Sequence, residues 1–293
     1  MAKYKFGKGI PTYNGIPMIG TYDPFADHFY VDNLAGSGST KSGSGTSEAP
    51  YLTIQEACTA ATVNCYIHIK GTSTNYDEAV TLTVNNVKLV GHGFGESGGA
   101  WSSDADTTIL TLSGAQNAEV SGLLFRPDGA TSGCAIDISE VVSNDSDAIY
   151  IHDNVFKSTG TTAKYAIKAN GCPAYVKIYN NHFTWMDECI SADSCAFTAA
   201  TGWEIVDNYF SDKVTKGIYM PMRRCLIKGN HFSTMTTCID TVGYSATNGD
   251  YNDVNGNYIF ETATWSSVTN AQTNDSWQNN FHNFLPNVTI GGA

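Results

Sequence analysis

A short phrase occurs five times between Ile149 and Phe260, and this repetition limits the folds that the chain can adopt. Each copy contains an alternating strand-like pattern, then an asparagine, then an aromatic or aliphatic residue two positions further on. The asparagines are spaced 27, 27, 22 and 27 residues apart and are Asn154, Asn181, Asn208, Asn230 and Asn257. A repeat of this length that combines a strand pattern with a polar corner indicates a solenoid of stacked coils.

The alternation within each phrase has a period of two, which is the period of a β-strand. It predicts one column of side chains that point into the core: Ile151, Ile178, Ile205, Ile227 and Val254. The asparagines follow this column at a corner, because Asn tolerates the left-handed backbone of a sharp bend. Each side-chain amide can bond the same residue in the next coil, so the five asparagines are predicted to form a structural ladder.

A second strand is predicted in each coil, where a small residue is followed by isoleucine. These pairs are Ala135-Ile136, Ala166-Ile167, Cys189-Ile190, Gly217-Ile218 and Cys238-Ile239. The chain from each of these isoleucines to the next corner asparagine varies in length, so surface loops are expected there. The inferred fold class is all-β, a single-stranded parallel β-helix of roughly seven to nine coils. It is expected to be right-handed, because parallel crossovers within one sheet nearly always are.

Composition excludes several classes of function. The 293-residue chain has a net charge of −12 and three arginines, so no nucleic-acid surface is expected, because phosphate binding needs clustered Lys and Arg. No apolar run reaches the roughly 20 residues that span a bilayer, and the acidic balance disfavours binding to an anionic membrane. The basic N-terminus lacks an apolar stretch behind it, so Sec-type export is not indicated.

The eight cysteines show neither a C-x-x-C pair nor a zinc pattern, so no metal or cofactor is predicted. Cys189 and Cys238 fall in the narrow inward position and are interpreted as buried thiols. Cys58 and Cys65 flank the end of a predicted helix and could form a disulfide instead. The sequence leaves this alternative open.

Residues 1–27 differ from the coils and are predicted to form an extended N-terminal arm. Their prolines suit an extended chain and not a coil of the helix. A disordered tail is the alternative, but the arm is too apolar for a solvated segment. Its predicted partner-binding residues are Ile10, Pro11, Tyr13, Ile16, Pro17, Met18, Tyr22 and Phe25. We therefore expect the arm to dock onto a partner or a neighbouring subunit.

Residues 28–62 contain a short strand, a Gly/Ser-rich loop and a predicted helix that covers the open end of the first coil. Thr53 is the predicted N-cap and Glu56 its capping-box partner. The β-helix is predicted to occupy residues 63–260. Residues 261–293 are predicted to form a C-terminal cap or tail.

This N-terminal segment resembles a known group of proteins. Tyr30-Val-Asp32, the Gly/Ser-rich loop and Pro50-Tyr-Leu-Thr-Ile-Gln-Glu-Ala57, together with the coil pattern to about residue 260, resemble the pectate-lyase-like β-helix superfamily. The similarity is greatest to its bacteriophage tailspike and virion members. The superfamily contains lyases, hydrolases, epimerases and inert structural proteins, so the resemblance implies the fold and leaves the function open.

The first function expected from this resemblance is a non-enzymatic structural protein on the surface of a phage-like virion. The protein would decorate the capsid or associate with the tail or fibres, after assembly in the host cytoplasm. Its arm would bind other virion proteins. The protein would also form a homo-oligomer, such as a trimer. The alternative is a polysaccharide-binding or depolymerising β-helix that recognises a cell-surface glycan.

A lyase of this superfamily would need a carboxylate cluster for Ca²⁺ and a basic residue that abstracts a proton. The candidates for such a catalytic set are Arg223, Arg224, Asp193 and Asp212. No Asp-x-Asp or Asp-Asp pair recurs at outward positions of successive coils, so solvated loop charge is the preferred interpretation.

A hydrolase would need two carboxylates about 5 to 9.5 Å apart. Asp137 and Asp240 share an outward column but are four coil spacings apart, about 19 Å. His182 and His231 occupy equivalent positions with Tyr209 between them, about 9.6 Å apart, which is too far for a shared metal ion. They are predicted to belong to an external aromatic stripe.

Overall fold

The protein, seen in a computed structural model, is a parallel β-helix whose coils contribute strands to three long sheets. The structure describes residues 12–13, 16–17, 26–35, 43–95, 99–103, 106–128, 132–139, 148–158, 163–170, 173–192, 200–212, 214–241, 251–260, 264–268 and 276–282. Within these residues the three sheets contain ten, nine and eight strands, all paired in parallel with the next coil. The predicted single-stranded parallel β-helix is therefore confirmed, and its right-handedness stays a prediction of the crossover rule.

The ten-stranded sheet begins before the first full coil. Its strands are Asp27–Val31, Cys65–Lys70, Lys88–His92, Glu119–Ser121, Ile149–His152, Val176–Tyr179, Glu204–Val206, Leu226–Lys228, Asp253–Asn255 and Ser276–Gln278. The predicted inward column is formed on this sheet, where Ile151, Ile178, Ile205, Ile227 and Val254 align rung on rung. All five side chains are fully buried.

The nine-stranded sheet follows one corner later. Its strands are Tyr76–Asp77, Trp101–Ser102, Leu124–Arg126, Val155–Lys157, His182–Thr184, Tyr209–Ser211, His231–Ser233, Tyr258–Phe260 and Phe281–His282. A buried ring column runs along its inner face and contains Trp101, Phe125, Phe156, Phe183, Phe210 and Phe232. Neighbouring ring centroids are 5.4, 5.2, 4.9, 4.8 and 4.8 Å apart, so the rings stack at the spacing of the strands themselves.

The eight-stranded sheet completes each coil. Its strands are Val80–Leu82, Thr108–Ser113, Cys134–Ser139, Ala163–Asn170, Met186–Ser191, Val214–Tyr219, Met235–Thr241 and Thr264–Val268. The second predicted column lies here, with Ile136, Ile167, Ile190, Ile218 and Ile239 in register. The position before them is narrowest at Gly217, where a Cβ would lie 2.7 Å from the Cys238 carbonyl oxygen and 2.9 Å from the Phe232 ring.

Two small sheets lie outside this pattern. Thr12–Tyr13 pairs antiparallel with Ile16–Pro17, so this part of the N-terminal arm pairs with itself. The other arm positions, Ile10, Pro11, Met18, Tyr22 and Phe25, lie outside the described residues. Ala200–Thr201 pairs in parallel with Met222–Arg223.

The capping helix, Ile54–Ala60, covers the first coil with Ile54, Ala57 and Cys58 buried against the core. The predicted capping box is present: the Thr53 side chain accepts from the Glu56 backbone, and the Glu56 carboxylate accepts from the Thr53 N–H. No helix in the described part of the chain is both long and apolar enough to span a bilayer.

The corner asparagines form a continuous buried ladder. Each side-chain Nδ2 donates to Oδ1 of the next asparagine at 3.0 to 3.1 Å from Asn154 to Asn257. The same Oδ1 also accepts from the backbone N–H of the asparagine before it, for example from Asn181 N to Asn208 Oδ1 at 3.0 Å. Each Nδ2 bonds a strand carbonyl as well, as Asn208 does with Ile178 O at 2.8 Å.

The left-handed residue of the corner is not the asparagine, so this expectation was wrong. Positive φ angles of 53° to 67° fall on the residue immediately before each ladder asparagine: Asp153, Asn180, Asp207, Gly229 and Gly256. The physical reason is that the ladder amide must point into the core. The turn itself is therefore made one position earlier.

The β-helix also continues beyond Phe260, where the sequence pattern predicted its end. Ser276–Gln278 and Phe281–His282 add a further strand to two sheets. Asn257 donates to Asn280 Oδ1 at 2.9 Å, so the ladder has a sixth member. This coil was missed because Trp277 replaces the usual aliphatic residue of the inward column.

The cysteines that the structure describes are free and buried: Cys58, Cys65, Cys134, Cys189, Cys225 and Cys238. Cys58 and Cys65, for which a disulfide was the open alternative, are thus two separate thiols.

We expect Asn208→Ala to lower the free energy of unfolding by about 1 to 3 kcal/mol, because two buried donors of Asn181 lose their acceptor. Tyr209→Ala is the matched control, because Tyr209 follows Asn208 directly and is 44% exposed. Urea denaturation followed by circular dichroism measures both. Equal losses in the two variants would contradict a stabilising ladder.

Candidate functional site

The alternative catalytic residues do not converge in the described part of the chain. Asp212 lies at the corner before the strand Val214–Tyr219, and Arg223 and Arg224 follow that strand. A six-residue strand is about 20 Å long. Asp212 and the two arginines therefore lie at opposite ends of this strand. Asp193 lies outside the described residues.

The outer face of the eight-stranded sheet carries acids that are paired with lysines. Lys164 Nζ lies 2.6 Å from Asp187 and 3.1 Å from Glu188, and Lys216 Nζ lies 3.1 Å from Asp240. Over the described residues, this face therefore carries a network of ion pairs.

The shared column of Asp137 and Asp240 is confirmed. Asp137, Lys168, Ser191, Tyr219 and Asp240 are aligned in successive coils. The two acids are thus four strand spacings apart, about 19 Å. Ser191 was expected to face solvent with this column but is fully buried.

The outer column of the nine-stranded sheet places Tyr209 between His182 and His231, as predicted. The His182 ring bonds Ser211 Oγ at 2.9 Å, and the His231 ring stacks on Tyr258. In the described residues, no group of three His, Cys, Asp or Glu side chains is arranged to hold a metal ion.

The site with the clearest shape is a groove on the outer face of the ten-stranded sheet. It has a volume of about 730 Å³. We call it the tyrosine groove, and its lining includes Tyr66, Lys88, Glu119, Tyr150, His152 and Tyr179, with Asn64, Asn86 and Asn117 along one rim. A second depression of about 370 Å³ shares Tyr150 and Tyr179 and continues towards Lys177 and Glu204. Together they follow the axis of the helix over several coils.

A chain of ion pairs crosses the floor of the groove. Glu119 contacts Lys88 Nζ at 3.1 Å with one carboxylate oxygen and His152 Nε2 at 3.3 Å with the other. The second ring nitrogen of His152 lies 2.7 Å from Asp153. Lys177 and Glu204 repeat the pairing further along, at 2.9 Å. Positive and negative charges alternate, so the groove has little net charge.

The environment of the groove shifts the pKa values of Glu119, His152 and Tyr179. The hydrogen bond from His152 is the main reason that the pKa of Glu119 is lowered. Burial alone would lower the pKa of His152, but the hydrogen bonds to Glu119 and Asp153 outweigh it and raise that pKa. Burial raises the pKa of Tyr179, which stacks on His152 with ring centroids 4.5 Å apart. The Tyr179 hydroxyl therefore stays protonated and can donate a hydrogen bond.

The groove combines aromatic rings with groups that both donate and accept hydrogen bonds. A tyrosine hydroxyl and an asparagine amide each have both capacities. The existing charges are compensated within the groove, so an added ionic ligand would gain little from them. The arrangement suits an elongated, uncharged, polyhydroxylated ligand.

A chain of three imidazoles borders the groove at its N-terminal end. His68 bonds His28 at 2.9 Å through one ring nitrogen and His92 at 2.9 Å through the other. Burial and the two neighbouring imidazoles lower the pKa of His68 to about 3. Burial also lowers the pKa of His92. These two histidines are neutral at neutral pH and fix the first strands of the sheet by hydrogen bonds.

The sequence interpretation missed the groove, because it treated the residues beside the inward column as generally facing water. The strand register shows that Tyr66, Lys88, Glu119 and Tyr150 form one outward column. In a second outward column, His152 aligns with Tyr179 of the following coil. Alternating charges at equivalent positions of adjacent coils were the available signal.

A scan against protein-family models, a search of curated proteins and a search of solved structures each return no match. The resemblance to the pectate-lyase-like superfamily therefore remains an expectation, and the function is argued from the site.

We expect His152→Gln to reduce stability most at mildly acidic pH. The raised pKa of His152 means that its contribution is complete below the pKa of the unfolded chain, about 6.5, and is lost as pH rises through the folded value. The lowered pKa of Glu119 preserves its charge there, and that contribution is lost only at lower pH.

Urea midpoints of the wild type and the variant should therefore differ more at pH 6 than at pH 9. His231→Gln, on the nine-stranded sheet, serves as the control. If the urea midpoints of the wild type and His152→Gln differed by the same amount at pH 6 and pH 9, the contact between His152 and Glu119 would not be an ion pair.

Proposed function

We propose that the chain is a non-enzymatic structural protein of a phage-like virion, held in the particle by its N-terminal arm. The observation that supports this proposal is the uninterrupted interior: the asparagine ladder runs from Asn154 to Asn280, beside the stacked core rings. Coils stabilised in this way from Trp101 to Asn280 suit a mechanical role in a large assembly. The resemblance to virion members of the β-helix superfamily points the same way.

The arm would supply the attachment. Its apolar residues Ile10, Tyr13, Ile16 and Tyr22 are too many for a solvated tail. Each apolar side chain buried against a partner contributes about 1.5 to 3 kcal/mol, which favours docking when the partner surface is preformed. Other virion proteins are the proposed partners of the arm. Separately, the chain is proposed to form a homo-oligomer, such as a trimer.

We expect deletion of residues 1–25 to abolish incorporation into the particle while the β-helix still folds. The deletion ends before the first strand, Asp27–Val31, which pairs with Cys65–Lys70 and should stay intact. Circular dichroism and cooperative melting check folding, and co-sedimentation with assembled particles checks incorporation.

The matched variant keeps the length of the arm and replaces Ile10, Tyr13, Ile16 and Tyr22 with serine. It should fail in the same way, because only apolar surface is removed. Normal incorporation of both variants would refute attachment through the arm.

A second candidate function is the binding of a neutral cell-surface glycan, and the tyrosine groove favours it. The groove is long, lies along the helix axis, and presents hydroxyl and amide groups with compensated charge. Binding and attachment are compatible, because the groove lies on the coils and the arm precedes them.

We expect Tyr150→Ala combined with Tyr179→Ala to weaken glycan binding at least tenfold, because both rings line the two adjoining depressions. Isothermal titration with neutral gluco- and galacto-oligosaccharides measures the affinity. Tyr175→Ala is the control, because Tyr175 is 48% exposed and absent from the groove lining. Equal affinities of the double variant and the control would reject the groove as the site.

Binding is expected without turnover. Release of reducing or unsaturated ends that is lost in Arg224→Ala or Asp193→Ala would replace the structural proposal with an enzymatic one.

A further inference from the structure

A row of rings lies on the outer face of the nine-stranded sheet in the C-terminal half of the helix. We call it the aromatic stripe, and it contains His182, Tyr209, His231, Tyr258 and Phe281 in register. Tyr209, Tyr258 and Phe281 are 44%, 39% and 57% exposed. Each ring contacts the next, with centroids 4.7 to 6.0 Å apart. The stripe is a continuous row of rings about 19 Å long, four strand spacings.

The stripe differs in charge from the other faces of the β-helix in the described coils. The column beside it contains Thr184, Ser211, Ser233 and Phe260, so neither column carries Lys, Arg, Asp or Glu over these coils. In the earlier coils the same sheet carries Asp77, Arg126 and Lys157. The other two faces carry ion pairs at the level of the stripe, such as Lys177–Glu204 and Lys216–Asp240.

We propose that the aromatic stripe is the contact between two copies of this chain. Each copy has a net charge of −12, so two copies repel each other over most of their surface. The stripe is where they can approach without bringing like charges together or stripping water from ion pairs. Exposed aromatic residues are also enriched at protein interfaces.

The ring geometry favours a protein partner over a flat ligand. His231 and Tyr258 are stacked at an interplanar angle of 27°, and Tyr258 and Phe281 at 16°. The other two pairs are not stacked, because the interplanar angle is 65° between His182 and Tyr209 and 41° between Tyr209 and His231. In the stacked part, from His231 to Phe281, ring faces cover one another and ring edges are left to pack against the side chains of a second copy.

The length of the stripe sets the expected strength of the contact. A stable dimer buries about 800 Å² on each partner, which is more than a narrow strip five coils long supplies. Contact through the stripe alone is therefore weak and concentration-dependent. It becomes effective where copies are held close together, as on the surface of a particle.

The test is sedimentation equilibrium of the full-length chain over a range of concentrations. The wild type should show a mass that rises with concentration. Tyr209→Glu and Tyr258→Glu should each weaken association at least tenfold, because each adds a negative charge to the contact surface of both copies. Tyr175→Glu is the matched control, because it adds the same charge to a tyrosine of similar exposure outside the stripe.

Tyr209 and Tyr258 lie in different coils, so misfolding of one variant leaves the other as a test, and melting by circular dichroism checks both. Wild-type behaviour of both Glu variants, or a wild type that stays monomeric, would overturn the proposal. So would loss of association on deletion of residues 1–25, because the arm would then be the contact. Incorporation into particles tests the proposed function separately.

Discussion

Stacking of equivalent residues at the strand spacing is the constraint on which the structure depends. Each residue in a parallel β-helix lies above its counterpart, so a buried column must be compatible with itself. Asparagine meets this condition because its amide donates at one end and accepts at the other. Asn181 Oδ1 accepts from Asn154, and Asn181 Nδ2 donates to Asn208 Oδ1. An aspartate column in the same place would lack donors and accumulate charge, which is costly in a buried site.

The interior was predictable from sequence because self-compatibility leaves few residue types to choose from. Ile178 and Ile205, the ladder asparagines and the Thr53 capping box were all found in this way. The last coil was missed where Trp277 replaced the usual aliphatic residue. The tyrosine groove was missed because outward positions carry no such restriction, so its residues vary from coil to coil. Only the strand register brings Lys88, Glu119 and Tyr150 together.

The three faces of the helix differ in how their charges are arranged, and this difference separates their proposed roles. The eight-stranded face neutralises its acids with lysines, as in Lys164 with Asp187. The ten-stranded face uses the same device but leaves a groove between its tyrosines. On the nine-stranded face, the two described columns at the aromatic stripe contain no Lys, Arg, Asp or Glu. Under these proposals, one face of an acidic chain binds a neutral polar ligand and another contacts a second copy of the chain.

The groove and the ladder are coupled at the corner between the ten- and nine-stranded sheets. The residue before each ladder asparagine is left-handed, a conformation that Gly adopts at no steric cost and other residues at some cost. Gly occupies it at Gly229 and Gly256, and Asp or Asn occupies it at Asp153, Asn180, Asp207 and Asn279. Asp153 orients the His152 ring by a hydrogen bond. A Cβ on Gly229 would collide with the Asp207 carboxylate, so that glycine makes room for the polar side chain above it.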